Sequence, residues 1–339
     1  QFVQNPWYPV AEPSDAQADA ETADVSRDLT AKLVKLVQAM QEIKAEEDSR
    51  VNSYEIFVNQ KLTHIRNSRG VDVTFSGFDC EIEVVTNSRK GDHEIEIYKD
   101  LRFSDKFAED IIAEVRGMFH TGRQRLSAVP TRQNEHADVL LTGNAVGSFF
   151  QYFAMHTNAS YQYMGVAKAK IGEAITGADA DPLNIRLVPT LDGSAKNAPY
   201  DETGMPVTER VLFENGICRS YWGSLQHAHY IGMKDTTSMN NMVVEGGSKT
   251  LDELRSMPHI EITDFSAFDM DAVSGTCGGE IRLAYESDGT TSHPTTSGSL
   301  SARYDDVLKN LTFSKETQQL NNRVVPCAVL LRDVTVAGE

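Results

Sequence analysis

Apolar side chains recur at helical spacing over residues 25–47, where Leu29, Leu33, Leu36, Val37, Met40 and Ile43 form one stripe. Such a stripe needs a sheet or another helix to cover it. The period then falls to two. Tyr54, Ile56 and Val58 alternate with polar residues, and Leu62 and Ile65 lead into Asn67-Ser68-Arg69-Gly70. Val71, Val73 and Phe75 resume the alternation, so these turn residues predict a hairpin. Ile82, Val84, Ile95 and Ile97 continue the strand pattern. A second helix is predicted over 104–119, with Ser104 as N-cap and Phe107, Ile111, Val115 and Met118 on its buried face. A linker over 126–134, containing Pro130, closes this unit.

The texture changes after Ala137. Short apolar runs alternate with Gly, Asn, Asp and Pro, which predicts strands over 185–188, 207–213, 216–222, 260–263, 280–285 and 325–331. Asn215-Gly216 between two such runs is the strongest hairpin signal in the chain. Helices are expected over 163–175, 250–256 and 304–310. The fold class is therefore α+β: an N-terminal helix and antiparallel-sheet unit, then a larger β-rich domain. The expected divisions are an exposed acidic arm over 1–24, an α+β domain over 25–129 and the β-rich domain over 130–339.

A length of 339 residues fits two domains and can bury a sizeable core without disulfides or structural metal. Net charge is 32 − 49 = −17 with no dense basic run, which argues against a nucleic-acid partner. No stretch of about 18 apolar residues is present, so no membrane span is expected. Cys80, Cys218, Cys277 and Cys327 form no Cys-x-x-Cys pair, which fits a reduced cytoplasmic setting. The first residues lack the basic and apolar regions of a signal peptide. The chain begins at Gln1 without Met, leaving room for residues upstream.

Three segments, in order, carry a resemblance. The first runs Pro199-Tyr200-Asp201-Glu202-Thr203-Gly204-Met205-Pro206 and on through Arg210 to Asn215-Gly216, followed downstream by Tyr230-Ile231-Gly232-Met233. The second is Asp264-Phe265-Ser266 and the third is Asp333-Val334-Thr335-Val336-Ala337-Gly338. Together they resemble the TldD/PmbA family, long called modulators of DNA gyrase. Residues 137–339 carry the likeness in sequence, and residues 27–125 only in pattern. Read physically, Asp201, Gly204 and Pro206 make a turn entering a strand. The functional alternative is that this loop lines a peptide channel.

The resemblance implies a zinc peptidase motif, His-Glu-x-x-x-His on a helix, with a distant Cys as third ligand and the Glu activating the metal's water. In this sequence Gly143 replaces the first His, Asn144 the Glu and Ser148 the second His. No Cys lies between residues 311 and 323. Neither Gly, Asn nor Ser supplies a good zinc ligand, so no metal or other cofactor is expected. The resemblance then implies the zinc-free, PmbA-like (TldE-like) subunit of a heterodimer. A zinc-bearing TldD-like partner would cleave unfolded or modified peptides inside a shared chamber. The alternative is a homodimeric peptide- or ligand-binding protein without protease activity.

Other constellations are weaker. Cys277 in a Gly-rich stretch, with His293 sixteen residues on, or Ser148, are candidate nucleophiles of an unrelated hydrolase. His227 and His229 share a face only on a strand. His156 is isolated. Asp264, Asp269 and Asp271, like Asp179 and Asp181, match no calcium loop. The run Phe149-Phe150-Gln151-Tyr152-Phe153 reads as core or interface, and an exposed run would mark a partner surface.

Overall fold

The structure is a computed structural model that describes residues 7–14, 28–106 and 108–339. The N-terminal unit comprises α1 (Leu29–Glu42), β1 (Ser49–Arg66), β2 (Asp72–Lys90), β3 (His93–Phe103) and α2 (Ala108–Ser127). The strands form one antiparallel sheet in that order, and β1 and β2 pair along almost their whole length. Period-two alternation buries Cys80, Ile82 and Val84 on one face of β2. Leu36 and Met40 of α1 and Ile111, Val115, Met118 and Phe119 of α2 cover that face. Gly122 lets α2 sit tightly on the sheet, since a Cβ there would lie 2.2 Å from Ser88 Oγ.

The second part begins with β4 (Val129–Pro130), β5 (Asn134–Thr142), α3 (Asn144–His156) and α4 (Ala159–Met164). It continues through β6 (Ile185–Val188), β7 (Arg210–Glu214), β8 (Ile217–Cys218), α5 (Leu225–Tyr230), β9 (Asn241–Val244) and α6 (Leu251–Arg255). Then follow β10 (His259–Asp271), β11 (Thr276–Ser287), β12 (Ser292–Thr296), β13 (Ser299–Arg303) and α7 (Tyr304–Val307). The chain finishes with β14 (Thr312–Phe313), β15 (Thr317–Leu320), β16 (Arg323–Pro326) and β17 (Ala328–Ala337).

Because β10 pairs with both β5 and β11, strands β10, β5, β17, β13 and β11 close into a ring, extended by β12 and β4. Closure removes the free edges of those strands. A second sheet runs β15-β16-β9-β6-β7-β8. Helix α3 packs on β5 and β10 of the ring and on β16 of the second sheet. A helix covered on several sides is apolar over most of its circumference. The aromatic run accordingly lies in the core: Phe149, Phe150, Tyr152 and Phe153 are all buried. Tyr152 stacks on Tyr304 at 3.7 Å between ring centres, and Phe150 meets Phe313 edge-on at 5.6 Å.

Several expected elements shift. Residues 25–27 of the first predicted helix lie outside the described residues, and Asp28 caps α1 by accepting from the Ala31 amide. Helix α2 starts and ends later than the predicted 104–119. Ser104 does not cap it; its amide donates to Gly193 O at 2.9 Å. Phe107 lies outside the described residues. The helix expected over 163–175 is replaced by α4, which ends at Gly165 in the left-handed region, φ 72°. That glycine is the stop signal the apolar spacing concealed. The strand expected over 325–331 breaks at Cys327 into β16 and β17. The strand over 216–222 shrinks to β8, while the hairpin at Asn215-Gly216 forms with φ of 50° and 76°. Thr250 starts α6 with a capping box to Glu253.

Of the arm expected over 1–24, residues 1–6 and 15–24 lie outside the described residues. Residues 7–14 rest on the body: Ala11 is buried and its carbonyl accepts from Asn67 Nδ2 at 2.8 Å. Trp7 meets the ring of His229 edge-on. Among the described residues no helix is long and apolar enough to cross a membrane.

Candidate functional site

The start of α3 is built from three constraints. The last four residues of strand β5, Val139 to Thr142, are buried on both faces, and the Thr142 hydroxyl donates to Ile262 O at 3.3 Å. Gly143 then turns the chain with φ 66° and ψ −149°, and α3 begins at Asn144. Gly143 is therefore the N-cap residue, one position outside the helix. It offers no side-chain cap, so the first amides of α3 stay free of one.

Along α3, Asn144 is exposed and Ser148, Gln151 and Met155 are half-buried, while most other positions are buried. Spaced four, three and four apart, these form one stripe. The guanidinium of Arg323, at the start of β16, reaches this stripe. Its Nη1 donates to Gly147 O at 3.2 Å and its Nη2 to Gln151 Oε1 at 2.9 Å. Burial depresses its pKa. Asn144 and Gly143 also line a cleft of about 640 Å³ between the two parts of the chain, walled by β3, α2 and β10. Glu114 of α2 stands in that cleft. Burial alone would raise its pKa, but Lys99 and Lys106 outweigh burial and hold it below the usual carboxylate value. Asp264 faces them from β10 with its pKa raised by burial, Arg125 lying 4.0 Å away.

The chemistry of this donor set does not fit zinc. Position 143 has no side chain, Asn144 and Ser148 are neutral, and the nearest charged group on the stripe is a cation. Among the described residues no group of three or more His, Cys, Asp or Glu converges anywhere.

Loop 201–206 packs against different neighbours. The Asp201 carboxylate accepts from Thr203 N at 2.8 Å, Thr203 Oγ1 at 2.7 Å and Met205 N at 3.0 Å. Gly204, at φ 85°, abuts the tip of the β1–β2 hairpin, where a Cβ would lie 2.5 Å from Val71 Cγ1. Pro206 is buried. These groups are turned inward, so the loop's visible work is to join the long hairpin to the second part.

The rival sites separate. Cys277 lies in β11 rather than a flexible loop, and burial pushes its thiol up to about 12. His293 pairs opposite Glu286, so about 30 Å of strand separates it from Cys277. His227 and His229 sit on α5 and diverge, one against Ser224 Oγ and the other against Trp7. His156 is fully buried and accepts from the Lys168 amide at 3.0 Å; burial pushes its pKa down to about 4. Asp271 closes a turn by accepting from Val273 N and Ser274 N. Asp181 tethers Ser248 and Phe313.

Two features escaped the sequence. One is Arg323, preceded by Asn321-Asn322, the two-residue turn that returns β15 into β16; that Asn pair was the available signal. The other is a partly buried ion cluster where hollows of about 580 and 730 Å³ meet at His259. Glu261 receives both arms of Arg255 at 2.9 and 2.6 Å, and His259 Nε2 lies 3.9 Å from the same carboxylate.

The geometry defines a two-part α+β protein whose central helix lies between a closed strand ring and a second sheet. The sequence model of the PmbA/TldA metallopeptidase C-terminal domain matches residues 134–338, and the chain belongs to this family. Comparison with curated proteins gives no match. Among solved structures, TldE from Thermococcus kodakarensis is similar in fold, with a TM-score of 0.78 at 19% identity over 98% of this chain and 80% of that one. A candidate modulator of a DNA gyrase from Thermotoga maritima gives 0.77 at 18% identity, over 99% and 81%. Another from Bacteroides thetaiotaomicron gives 0.78 at 15% identity, over 97% and 76%.

Proposed function

We propose that this chain is the metal-free subunit of a two-subunit peptide-processing complex of the PmbA/TldD type. A zinc-bearing TldD-like partner supplies the hydrolytic chemistry. What carries the reading is the chemistry at the start of α3: the sequence resemblance sets Gly143, Asn144 and Ser148 at the motif's two His and one Glu, and none of the three offers an imidazole or a carboxylate. The family assignment and the fold likeness to a TldE support this reading. In it, residues 25–129 and 130–339 are the two folding units, and the cleft between them forms one wall of the peptide chamber. Loop 201–206 shapes that wall by gripping the β1–β2 hairpin. A net charge of −17 favours no nucleic-acid role, and four unbonded cysteines fit a reduced cytoplasmic setting.

Affinity purification from the native cell tests the reading. A relative with an intact His-Glu-x-x-x-His motif should co-purify, and the pair should cleave an unfolded peptide that neither chain cleaves alone. Recovery of this chain alone at every tag position would point to a homodimeric peptide-binding protein. Peptide hydrolysis by the isolated chain with stoichiometric zinc would overturn the proposal.

A further inference from the structure

We propose that the polar stripe of α3 beneath Arg323 is a carboxylate-binding site that takes the free C-terminus of a peptide. Arg323 is half-buried, and both of its hydrogen-bond partners, Gly147 O and Gln151 Oε1, are neutral. Arg102, Arg123, Arg210 and Arg255 each meet a carboxylate, whereas among the described residues Arg323 meets none. A partly desolvated cation without a counter-charge is costly, and an anion relieves that cost. A guanidinium carries five N–H donors in a planar fork that matches a carboxylate, and the two bonds observed leave others uncommitted.

The helix end beside Arg323 has the same polarity. Gly147 lies in the first turn of α3, where the helix carries partial positive charge, and Gly143 supplies no side-chain cap to neutralise it. The stripe itself is neutral and rich in donors: the Asn144 amide, the Ser148 hydroxyl and the Gln151 amide nitrogen, whose oxygen is already engaged by Arg323. Gly147 leaves its flank open to Arg323: a Cβ there would crowd Leu320 Cδ1 at 3.2 Å and lie in ordinary contact with Arg323 Nη1 at 3.6 Å. Asn144, at one end of the stripe, lines the cleft, whose walls carry Lys99 and Lys106 as well as Asp110, Glu114 and Asp264.

The test uses the full chain and a fluorescent alanine peptide in three forms: free C-terminus, C-terminal amide, and amide with one internal Glu. Titration followed by anisotropy should show the free acid binding about tenfold more tightly than the amide, the size expected for one charge-assisted fork. Arg323→Met should abolish that discrimination, and Arg323→Lys should retain part of it. Ser148→Ala, which leaves Arg323 in place, should weaken it and serves if Arg323→Met fails to fold. Equal binding of acid and amide, no measurable binding of either, or discrimination surviving in Arg323→Met would each overturn the proposal. An internal Glu as effective as the free terminus would overturn the assignment to C-termini. The site does not depend on the subunit reading. A chain that recovers no zinc-bearing relative yet discriminates acid from amide refutes that reading alone.

Discussion

Gly143 stands directly against the carbonyl oxygen of Thr263: a Cβ on residue 143 would lie 2.7 Å from it. The backbone there has φ 66°, where any L side chain is strained. Gly143→Ala should therefore destabilise the protein by about 1–3 kcal/mol, measured by urea denaturation. Gly117→Ala is the control. Gly117 sits inside α2 with open space around its would-be Cβ, so alanine there should stabilise by about 0.5–1 kcal/mol. A Gly143→Ala variant as stable as wild type would mean that β10 yields easily, and a side chain could then be rebuilt at this position.

The cluster of Arg255, Glu261 and His259 should shape the pH dependence of stability. Burial works to lower the His259 pKa, but the Glu261 carboxylate and the Met257 carbonyl outweigh it and leave it above the ordinary 6.5. Its contribution is complete below 6.5 and is lost as pH rises through the folded value. Burial works to raise the Glu261 pKa, but His259 and Arg255 outweigh it and hold it below the ordinary 4.5. That contribution is present above 4.5 and is lost as pH falls through the folded value. Both act together between about pH 4.5 and 6.5. Glu261→Gln should cost about 1–3 kcal/mol in that window, with the Arg255 share reduced because its side chain is 45% exposed. His259→Gln should flatten the loss of stability above pH 6.5, and an unchanged slope would refute the coupling.

Thiol labelling should sort the cysteines by environment. Burial pushes the Cys277 thiol up to about 12 and the Cys218 thiol up to about 11. Cys327 is only partly buried. An aromatic disulfide reagent at pH 8 should modify Cys327 first and reach Cys277 and Cys218 only with unfolding. Rapid native labelling of Cys277 would revive it as a nucleophile.

The contact of Gly204 with the β1–β2 hairpin should be energetically coupled to Val71. Gly204→Ala should destabilise by about 1–3 kcal/mol, since φ is 85° and Val71 Cγ1 blocks the new methyl. Val71→Ala made alone also loses buried surface. Combined, the two changes should be less than additive by about 0.5–2 kcal/mol, read from a double-mutant cycle. Strict additivity would mean that the loop and the hairpin move apart freely.

Local pattern carried much of the fold. The period-two alternation through Ile82 and Val84 announced β2, and Asn215-Gly216 announced the β7–β8 hairpin, because both signals arise between neighbours in the chain. The helix expected over 163–175 failed because its apolar residues answer to distant partners: Ala169 joins the core, while Ile171 is 58% exposed. Helix α2 runs past its predicted end, and Gly122 within the added turns lets it pack closely on Ser88.

At the site the division is equally physical. Residue type alone determines that positions 143, 144 and 148 offer no imidazole or carboxylate, since chemistry absent from a side chain cannot be supplied by folding. The sequence likewise marked the buried face of β2 and the turn at Asn215-Gly216. It was silent on Arg323 crossing from β16 to α3, on Arg255 and His259 converging on Glu261, and on β10 closing the strand ring. Each of those joins residues whose positions depend on how sheets stack and close, and nothing in the order of side chains along the chain encodes that geometry locally.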